Sequence, residues 1–170
     1  RMNNDVQLVS EYFKEKNYKT GLFGKWHNGS QPPYHPNYRG FDEFFGFTSG
    51  HWGNYFNPIL EKNGKIIKTN GYINDVITNE AISFIKKSKQ PFLSFISYNT
   101  PHSPMQVPDK YYLNKKVSLV GRYSNKENIN KTKAALGMIE NIDENIGNIV
   151  SVLKEKDVYY YRKTNNKSMK

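Results

Sequence analysis

The chain has 170 residues, of which 36% are hydrophobic and 15% aromatic, and its net charge is +10. This length suits a single domain with its own core, and the aromatic content is not that of a disordered chain. The absence of cysteine excludes a disulfide framework, Cys-ligated zinc and a Cys nucleophile. No apolar run approaches the ~18 residues of a membrane span. The positive charge is compatible with a polyanionic ligand, but the lysines are scattered, so charge alone does not decide the function.

The first part of the chain predicts a helix, a strand and then a long irregular stretch. Apolar residues at helical spacing predict a helix over residues 5–16, with Asp5 as its N-cap. The apolar face of this helix comprises Val6, Val9 and Phe13. Residues 18–24 have the aromatic and β-branched character of a strand. Residues 26–58 are rich in glycine, proline and aromatic residues without periodicity, which is typical of a functional loop region.

A hairpin and a second helix are predicted next. The pair Asn63-Gly64 lies between apolar pairs and predicts a peripheral hairpin over residues 59–67. Asn74 or Asp75 is predicted to cap a helix that ends near Lys87, because lysine suits the negative end of a helix dipole.

The rest of the chain predicts a buried strand and a long helix. Residues 92–98 are apolar with serine spacers, which predicts a strand covered on both faces, as in a parallel sheet. After a polar loop, a helix is predicted over residues 129–156. Its predicted buried face comprises Ala135, Met138, Ile142, Ile146, Ile149 and Leu153. The alternation of elements predicts an α/β fold, with a mostly parallel sheet flanked by helices.

Two polar segments directly follow predicted strands, at the edge where open α/β sheets bind their ligands. One segment carries Lys25 and His27, which would share one face if the strand continued through them, and which suit an anionic acid–base site. The other places His102 between Pro101 and Pro104, which restrict the backbone on both sides. Spacing alone leaves alternatives open. Lys25 could be a surface lysine beside a packed His27, and His102 could be a loop histidine that caps a neighbouring group.

The other histidines and the charged cluster give weaker signals. His35, in a proline-rich loop, is expected to be solvated or stacked. His51 and Trp52, flanked by glycines, are candidates to line a sugar site. The Asp-Glu pair at residues 42–43 is expected to pair with Arg39 in a structural role.

Five segments, in order, resemble those of the type I sulfatases, which use a formylglycine nucleophile. The segments are YKTGLFGKWH (18–27), RGFDEFFGF (39–47), the stretch 71–82, PFLSFISYNTPHSP (91–104) and IDENIG (142–147). Together they lie within about residues 7–156. The resemblance implies an alkaline-phosphatase-like α/β fold, present in part, and hydrolysis of sulfate esters of carbohydrates.

The resemblance also implies roles for individual residues. Lys25 would contact the sulfate group, His27 would support the hydrated aldehyde, and His102 would contact the sulfate or leaving-group oxygen. These three are the predicted catalytic residues. The predicted substrate-binding residues are Lys25, His102, His51 and Trp52. The family cofactors are formylglycine and Ca²⁺. The Cys/Ser-x-Pro/Ala-x-Arg motif and the family's Asp ligands are not found in these 170 residues, so no residue is assigned to metal.

We interpret residues 1–170 as one partial domain, the central part of a bacterial sulfatase. A loop and hairpin insertion would span residues 26–70, and an irregular tail residues 157–170. The N- and C-terminal parts of the domain are expected outside these residues, and the chain alone is expected to be inactive. No signal peptide is visible, so only the resemblance implies a periplasmic or secreted protein.

Two other functions remain open. A phosphodiesterase-type relative could share the fold, although the Gly-Lys-Trp-His segment favours a sulfatase. A non-catalytic module could instead bind polyanions through net charge, without any need for the two loops to converge. The expected partner is a sulfated small molecule or glycan, and neither nucleic acid nor a membrane is expected.

Overall fold

The computed structural model of the protein describes residues 2–117 and 124–159. Its strands are β1 (Lys19–Lys25), β2 (Glu43–Phe47), β3 (Ile59–Lys62), β4 (Lys65–Lys68) and β5 (Phe92–Ser97). Its helices are α1 (Val9–Glu15), α2 (Ile73–Lys87), α3 (Asp109–Tyr112) and α4 (Lys126–Glu155), and a 3-10 turn spans Pro36–Tyr38. Within the two described ranges, no helix is long and apolar enough to cross a membrane. Most of the predicted tail, from residue 160 onwards, lies outside them.

The strands form one mixed sheet in the order β4-β3-β2-β1-β5. β1 is parallel to both of its neighbours, β2 and β5, whereas β3 is antiparallel to β2 and to β4. The predicted α/β fold with a sheet flanked by helices is confirmed. Two of its three parallel strands, β1 and β5, precede the two polar segments singled out in the sequence. Because parallel strands end at the same edge, Lys25, Phe47 and Ser97 lie along one edge of the sheet.

The main core lies between the sheet and the helices α2 and α4. Ile77 of α2 and Met138 of α4 are fully buried in it, and the ring of Phe84 lies 5.3 Å from that of Phe23 on β1. Truncating a buried ring of this kind to alanine costs about 3–5 kcal/mol. A smaller cluster comprises Leu22, Phe41 and Phe44, with Trp26 packed against it. These contacts fix the strand that ends at Lys25.

The predicted hairpin is confirmed. β3 and β4 pair in antiparallel register, with Lys62 opposite Lys65. The turn residues Asn63 and Gly64 have φ values of 48° and 83°, which suit a two-residue turn with left-handed backbone. The hairpin is peripheral, as predicted, since β4 is the outermost strand on its side.

The stretch 26–58, predicted to lack regular structure, contains β2 in the interior of the sheet. That prediction was wrong for residues 43–47. A Cβ at Gly46 would overlap the backbone carbonyl of Gly24 on the neighbouring strand, so glycine permits a close approach of the two backbones here. The predicted insertion at residues 26–70 therefore includes three of the five strands of the sheet, namely β2 and the hairpin strands β3 and β4.

The helix α1 begins later than predicted and buries another face. Leu8, not Asp5, is its N-cap, and the Leu8 N–H donates to Glu11 at 2.7 Å. Val9, expected in the core, is 55% exposed, whereas Ser10 is fully buried. The Ser10 hydroxyl donates to a backbone carbonyl at 2.6 Å, which is a polar contact that apolar periodicity does not reveal.

The prediction for the start of α2 was also wrong. The helix begins two to three residues earlier than predicted, with Tyr72 as N-cap, and both Asn74 and Asp75 lie in its first turn. Asn74 is fully buried and donates to Thr100 in the loop after β5. Its role is thus a tertiary contact rather than a cap.

The helix α4 is present, but its buried face differs from the predicted stripe. Met138 is buried as expected, while Ile146 is 47% exposed. Asn141 and Asn145 are buried instead, and both donate to Asp75 Oδ1, at 2.8 and 2.7 Å. Buried amides that share one carboxylate oxygen therefore orient the helix.

The strand β5 is confirmed as parallel, but it is not covered on both faces. It forms the edge of the described sheet, next to β1. Phe95 is 46% exposed as a result. The apolar sequence correctly predicted the strand, but not its position at the edge.

Candidate functional site

The loop after β1 begins at Lys25 and turns sharply out of the sheet. Lys25 is half-buried and is the last residue of the strand, opposite Phe47 of β2. The Trp26 N–H still donates to the Phe47 carbonyl at 3.0 Å. His27 has a φ of 57°, in the left-handed region. The strand ends at Lys25 and does not continue through His27, so the condition under which the two side chains would share one strand face is not met.

The imidazole of His27 packs against the loop after β2. A Cβ placed on Gly50 would lie 2.6 Å from Cε1 of His27 and 2.8 Å from its Cδ2. Real Cβ contacts are longer than this, so the absence of a side chain at residue 50 leaves the space that the ring occupies. The loops after β1 and β2 are therefore in direct contact at this glycine.

The loop after β5 joins them through a second pair of rings. The ring centroids of His51 and His102 lie 5.0 Å apart, with the planes tilted by 49°. Since His51 follows Gly50 directly, three exposed imidazoles lie in neighbouring positions at the carboxyl edge of the sheet. Two of them, His27 and His102, were predicted to be catalytic, and His51 to bind substrate.

Trp52, in the loop after β2, is half-buried. Its ring stacks on Phe47, with centroids 5.5 Å apart and planes 22° apart. Its carbonyl accepts a hydrogen bond from Asn99 Nδ2 at 3.3 Å, which ties the loop after β2 to the end of β5. Within the described residues, the buried Trp52 Nε1 has no hydrogen-bond partner. Trp52 thus forms part of the wall of the site.

The hydrogen bonds of His102 define which of its ring nitrogens is available. Nδ1 lies 2.7 Å from the backbone carbonyl oxygen of Ser103. A carbonyl oxygen only accepts, so this contact favours the tautomer with the proton on Nδ1; the Ser103 hydroxyl, 3.4 Å from the same nitrogen, can also accept that proton. Nε2 is then left to contact a ligand. Second contacts of this kind commonly fix the tautomer of functional histidines.

His35 and Arg39 have structural roles away from this edge. His35 is only 6% exposed, so it is not solvated; its Nε2 lies 2.6 Å from Glu61 Oε1, and its ring packs edge-on against Phe44. Arg39 is structural, as predicted, but it pairs with Glu11 at 2.8 Å rather than with the acids at residues 42–43.

Asp42 instead fixes the start of β1. Its carboxylate lies 3.0 Å from the Lys14 ammonium and accepts from the Thr20 N–H at 3.0 Å. Partial burial alone would raise the pKa of Asp42, but the Thr20 N–H and the Lys14 ammonium outweigh it, so the pKa lies below its ordinary value. This network stabilises the end of the sheet opposite the histidine cluster.

Two contributors to the site were missed at the sequence level. Asn99 bonds to the Trp52 carbonyl, and the Tyr55 hydroxyl bonds to the carbonyl of His102 at 2.8 Å. Both partners are backbone carbonyls about 47 residues away in the chain, a separation that gives no local pattern. Among the described residues, no group of three His, Asp or Glu side chains is arranged to hold a metal ion.

Comparisons with known proteins match the chain to one family. The family model "Sulfatase" matches residues 2–160. The uncharacterized sulfatase YdeN of Escherichia coli K12 is 35% identical over 132 residues, which cover 61% of this chain and 24% of that protein. The N-acetylgalactosamine-6-sulfatase of Mus musculus is 28% identical over 176 residues, covering 89% of this chain and 30% of that protein.

A solved structure supports the same likeness. The crystal structure of Ps i-CgsB in complex with k-i-k-neocarrahexaose is 34% identical and has a TM-score of 0.80, covering 92% of this chain and 38% of that one. The predicted fold, alkaline-phosphatase-like and present in part, is confirmed. The chain spans 24% and 30% of the two curated relatives described above.

Proposed function

The chain belongs to the sulfatase family, and on this premise we propose that Lys25, His27 and His102 form the sulfate-binding part of a sulfuric ester hydrolase. The convergence of three loops carries the proposal. His27 packs at Gly50, and the rings of His51 and His102 lie 5.0 Å apart at the carboxyl edge of β1, β2 and β5. This edge is where sheets of this class bind their ligands.

The residue types suit a sulfate monoester. The ester carries one negative charge shared among three oxygens, and the Lys25 ammonium offers three donors and a compact positive charge. His27, two residues further along the same loop, supplies a second donor. Hydrogen-bond donors that are already in place stabilise the negative charge of the transition state, because the site does not have to reorganise. Such electrostatic stabilisation is commonly the largest single contribution to catalysis.

His102 is proposed to act on the ester oxygen that leaves. Its Nδ1 is engaged with the Ser103 carbonyl, so its Nε2 is the nitrogen that exchanges protons with a ligand. When water forms a new bond to sulfur and the S–O bond to the sugar breaks, a protonated imidazole donates the Nε2 proton to the departing oxygen. General acid catalysis of this kind contributes about 10²–10⁴ in rate.

Two cofactors of the family do not fit the residues present. The family generally uses a formylglycine nucleophile and a divalent metal ion. These 170 residues contain no cysteine, and no serine lies in the motif that is converted to formylglycine. The described residues hold no cluster that would bind a metal, Ca²⁺ included. None of the proposed steps passes through either group.

A carbohydrate sulfate is the proposed substrate class. One relative is named as an N-acetylgalactosamine-6-sulfatase, and one related structure is a complex with k-i-k-neocarrahexaose. His51, beside His102, and Trp52 would flank the sugar that bears the ester. The net charge of +10 suits an anionic glycan. We propose that the protein is periplasmic or secreted.

The test is an NMR titration of the ¹⁵N-labelled chain with N-acetylgalactosamine 6-sulfate, and with the unsulfated sugar as a blank. Lys25→Met should weaken binding about 10- to 100-fold, the worth of a hydrogen bond to a charged group. Lys19→Met, at the other end of the same strand, removes the same charge and should change the affinity less than about twofold.

Two results would contradict the proposal. Equal losses in the two lysine variants would mean that the protein binds anions through net charge alone. Equal binding of the unsulfated sugar would mean that no sulfate group is recognised.

A further inference from the structure

The exposed loop that carries His102 is held from beneath by a buried tyrosine. Tyr55 is fully buried, and its hydroxyl donates to the His102 carbonyl at 2.8 Å, with the Ser103 carbonyl 3.3 Å away. If the buried hydroxyl lost its partner, the free energy of folding would bear the full cost of desolvating it. This cost favours the arrangement in which the hydroxyl and the two carbonyls stay in contact. Burial also raises the pKa of Tyr55, so the hydroxyl stays protonated and able to donate.

The Ser103 carbonyl has a second partner, which is the ring of His102 itself. Nδ1 of His102 donates to it at 2.7 Å. Movement of this carbonyl would remove the acceptor that keeps the proton on Nδ1. The Tyr55 hydroxyl, the Ser103 carbonyl and the His102 ring therefore form one chain of contacts that ends at Nε2.

We propose that Tyr55 is a positioning residue that sets the tautomer of His102 through the Ser103 carbonyl. The catalytic purpose of this tautomer rests on the proposed function. When the proton is held on Nδ1, Nε2 is the nitrogen that acts on the ester oxygen. Tyr55 itself touches no reacting atom. It acts only through the loop backbone.

A second buried contact keeps the loop in register with the helices. Asn74 of α2 donates to the Thr100 hydroxyl at 2.7 Å and to Asn141 of α4 at 2.9 Å. Both asparagines are fully buried. The start of the loop is thus tied to two helices, and the His102 N–H donates to the Asn99 carbonyl at 3.1 Å. The Tyr55 hydroxyl adds a contact from beneath to the carbonyls of His102 and Ser103.

The chain offers a matched control for Tyr55. Tyr72 is also buried, its ring lies 6.3 Å from that of Tyr55, and its hydroxyl donates to the Gln106 carbonyl of the same loop at 2.9 Å. The His102 imidazole bonds to Ser103, whereas Gln106 lies four residues beyond His102. Tyr72→Phe therefore removes an equivalent hydrogen bond without touching the proposed chain of contacts.

The test is ¹⁵N NMR of the histidine side chains at pH 8.5, where an ordinary imidazole is neutral. The nitrogen shifts report which of Nδ1 and Nε2 carries the proton. In the wild type, His102 should be the Nδ1–H form. Tyr55→Phe should shift its tautomer ratio by about fivefold towards Nε2–H, the worth of one hydrogen bond, and Tyr72→Phe should leave the ratio unchanged. His35, bound to Glu61, reports whether each variant is folded.

Three outcomes would overturn the proposal: a wild-type His102 in the Nε2–H form, an unchanged ratio in folded Tyr55→Phe, or equal shifts in both tyrosine variants. The first needs no variant, so the proposal is testable even if Tyr55→Phe does not fold. The sulfated-sugar titration separates the two ideas. A tautomer shift without sulfate binding supports the role of Tyr55 and contradicts the proposed function. Sulfate binding without a tautomer shift supports the proposed function and contradicts the role of Tyr55.

Discussion

Gly50→Ala should displace the His27 imidazole without deleting any functional group. The added methyl would lie 2.6 Å from Cε1 of His27, whereas ordinary contacts begin at 3.4 Å. The ring must therefore move by about 1 Å. It is the outer end of an exposed side chain, so we expect the free energy of unfolding to fall by less than about 1 kcal/mol.

The effect on ligand binding should be much larger than the effect on stability. Misplacing a functional group by about 1 Å can cost as much as about 10²-fold in function. We expect Gly50→Ala to weaken binding of N-acetylgalactosamine 6-sulfate by about tenfold, because the imidazole loses its hydrogen-bond geometry. The assay is the NMR titration described above, together with urea unfolding of the same samples.

Gly53→Ala is the matched control in the same loop. Its added methyl would meet His51 Nε2 at 3.7 Å, an ordinary contact, so binding should be unchanged. Wild-type affinity in Gly50→Ala would refute the reasoning, since it would mean that His27 takes no part in binding. Equal losses in both variants would show that the loop responds to any side chain.

The hairpin, the charge network and the chemistry of the chain give further predictions. Gly64→Ala should lower the free energy of unfolding by about 1–2 kcal/mol, because its φ is 83° although no described atom lies within 4 Å of the new methyl; an unchanged urea midpoint would contradict this. Asp42→Asn should cost about 1–2 kcal/mol at pH 7. Since the folded-state pKa of Asp42 is depressed, its stabilisation is present above the unfolded value and is lost as pH falls through the folded one. Equal losses at pH 7 and below about pH 3 would exclude an ionic origin. Finally, a polypeptide of these 170 residues should not turn over a chromogenic aryl sulfate with added Ca²⁺, and turnover above a Lys25→Ala control would reveal a nucleophile that the sequence does not show.

Local sequence signals predicted the elements that depend on local physics. The hairpin follows from the backbone freedom of Asn63-Gly64, and the parallel strand β5 from its apolar run. The positions of Lys25 and His102 at strand ends followed from the same patterns. These features need no knowledge of distant partners.

Features built on distant polar partners could not be predicted in this way. The buried face of α4 is set by Asn141 and Asn145, which bind Asp75 on another helix, 66 and 70 residues away. Apolar periodicity assigns such amides to the surface. Tyr55 was missed for the same reason, because its partners are backbone carbonyls that carry no sequence signature.

The most direct test of the proposed sulfate site is a crystal structure of the chain with N-acetylgalactosamine 6-sulfate. We expect sulfate oxygens within about 3.2 Å of both Lys25 Nζ and His102 Nε2, with the sugar ring beside His51. A sulfate group bound away from the edge formed by β1, β2 and β5, or one that reaches Lys25 but leaves His102 without contact, would contradict the proposed site.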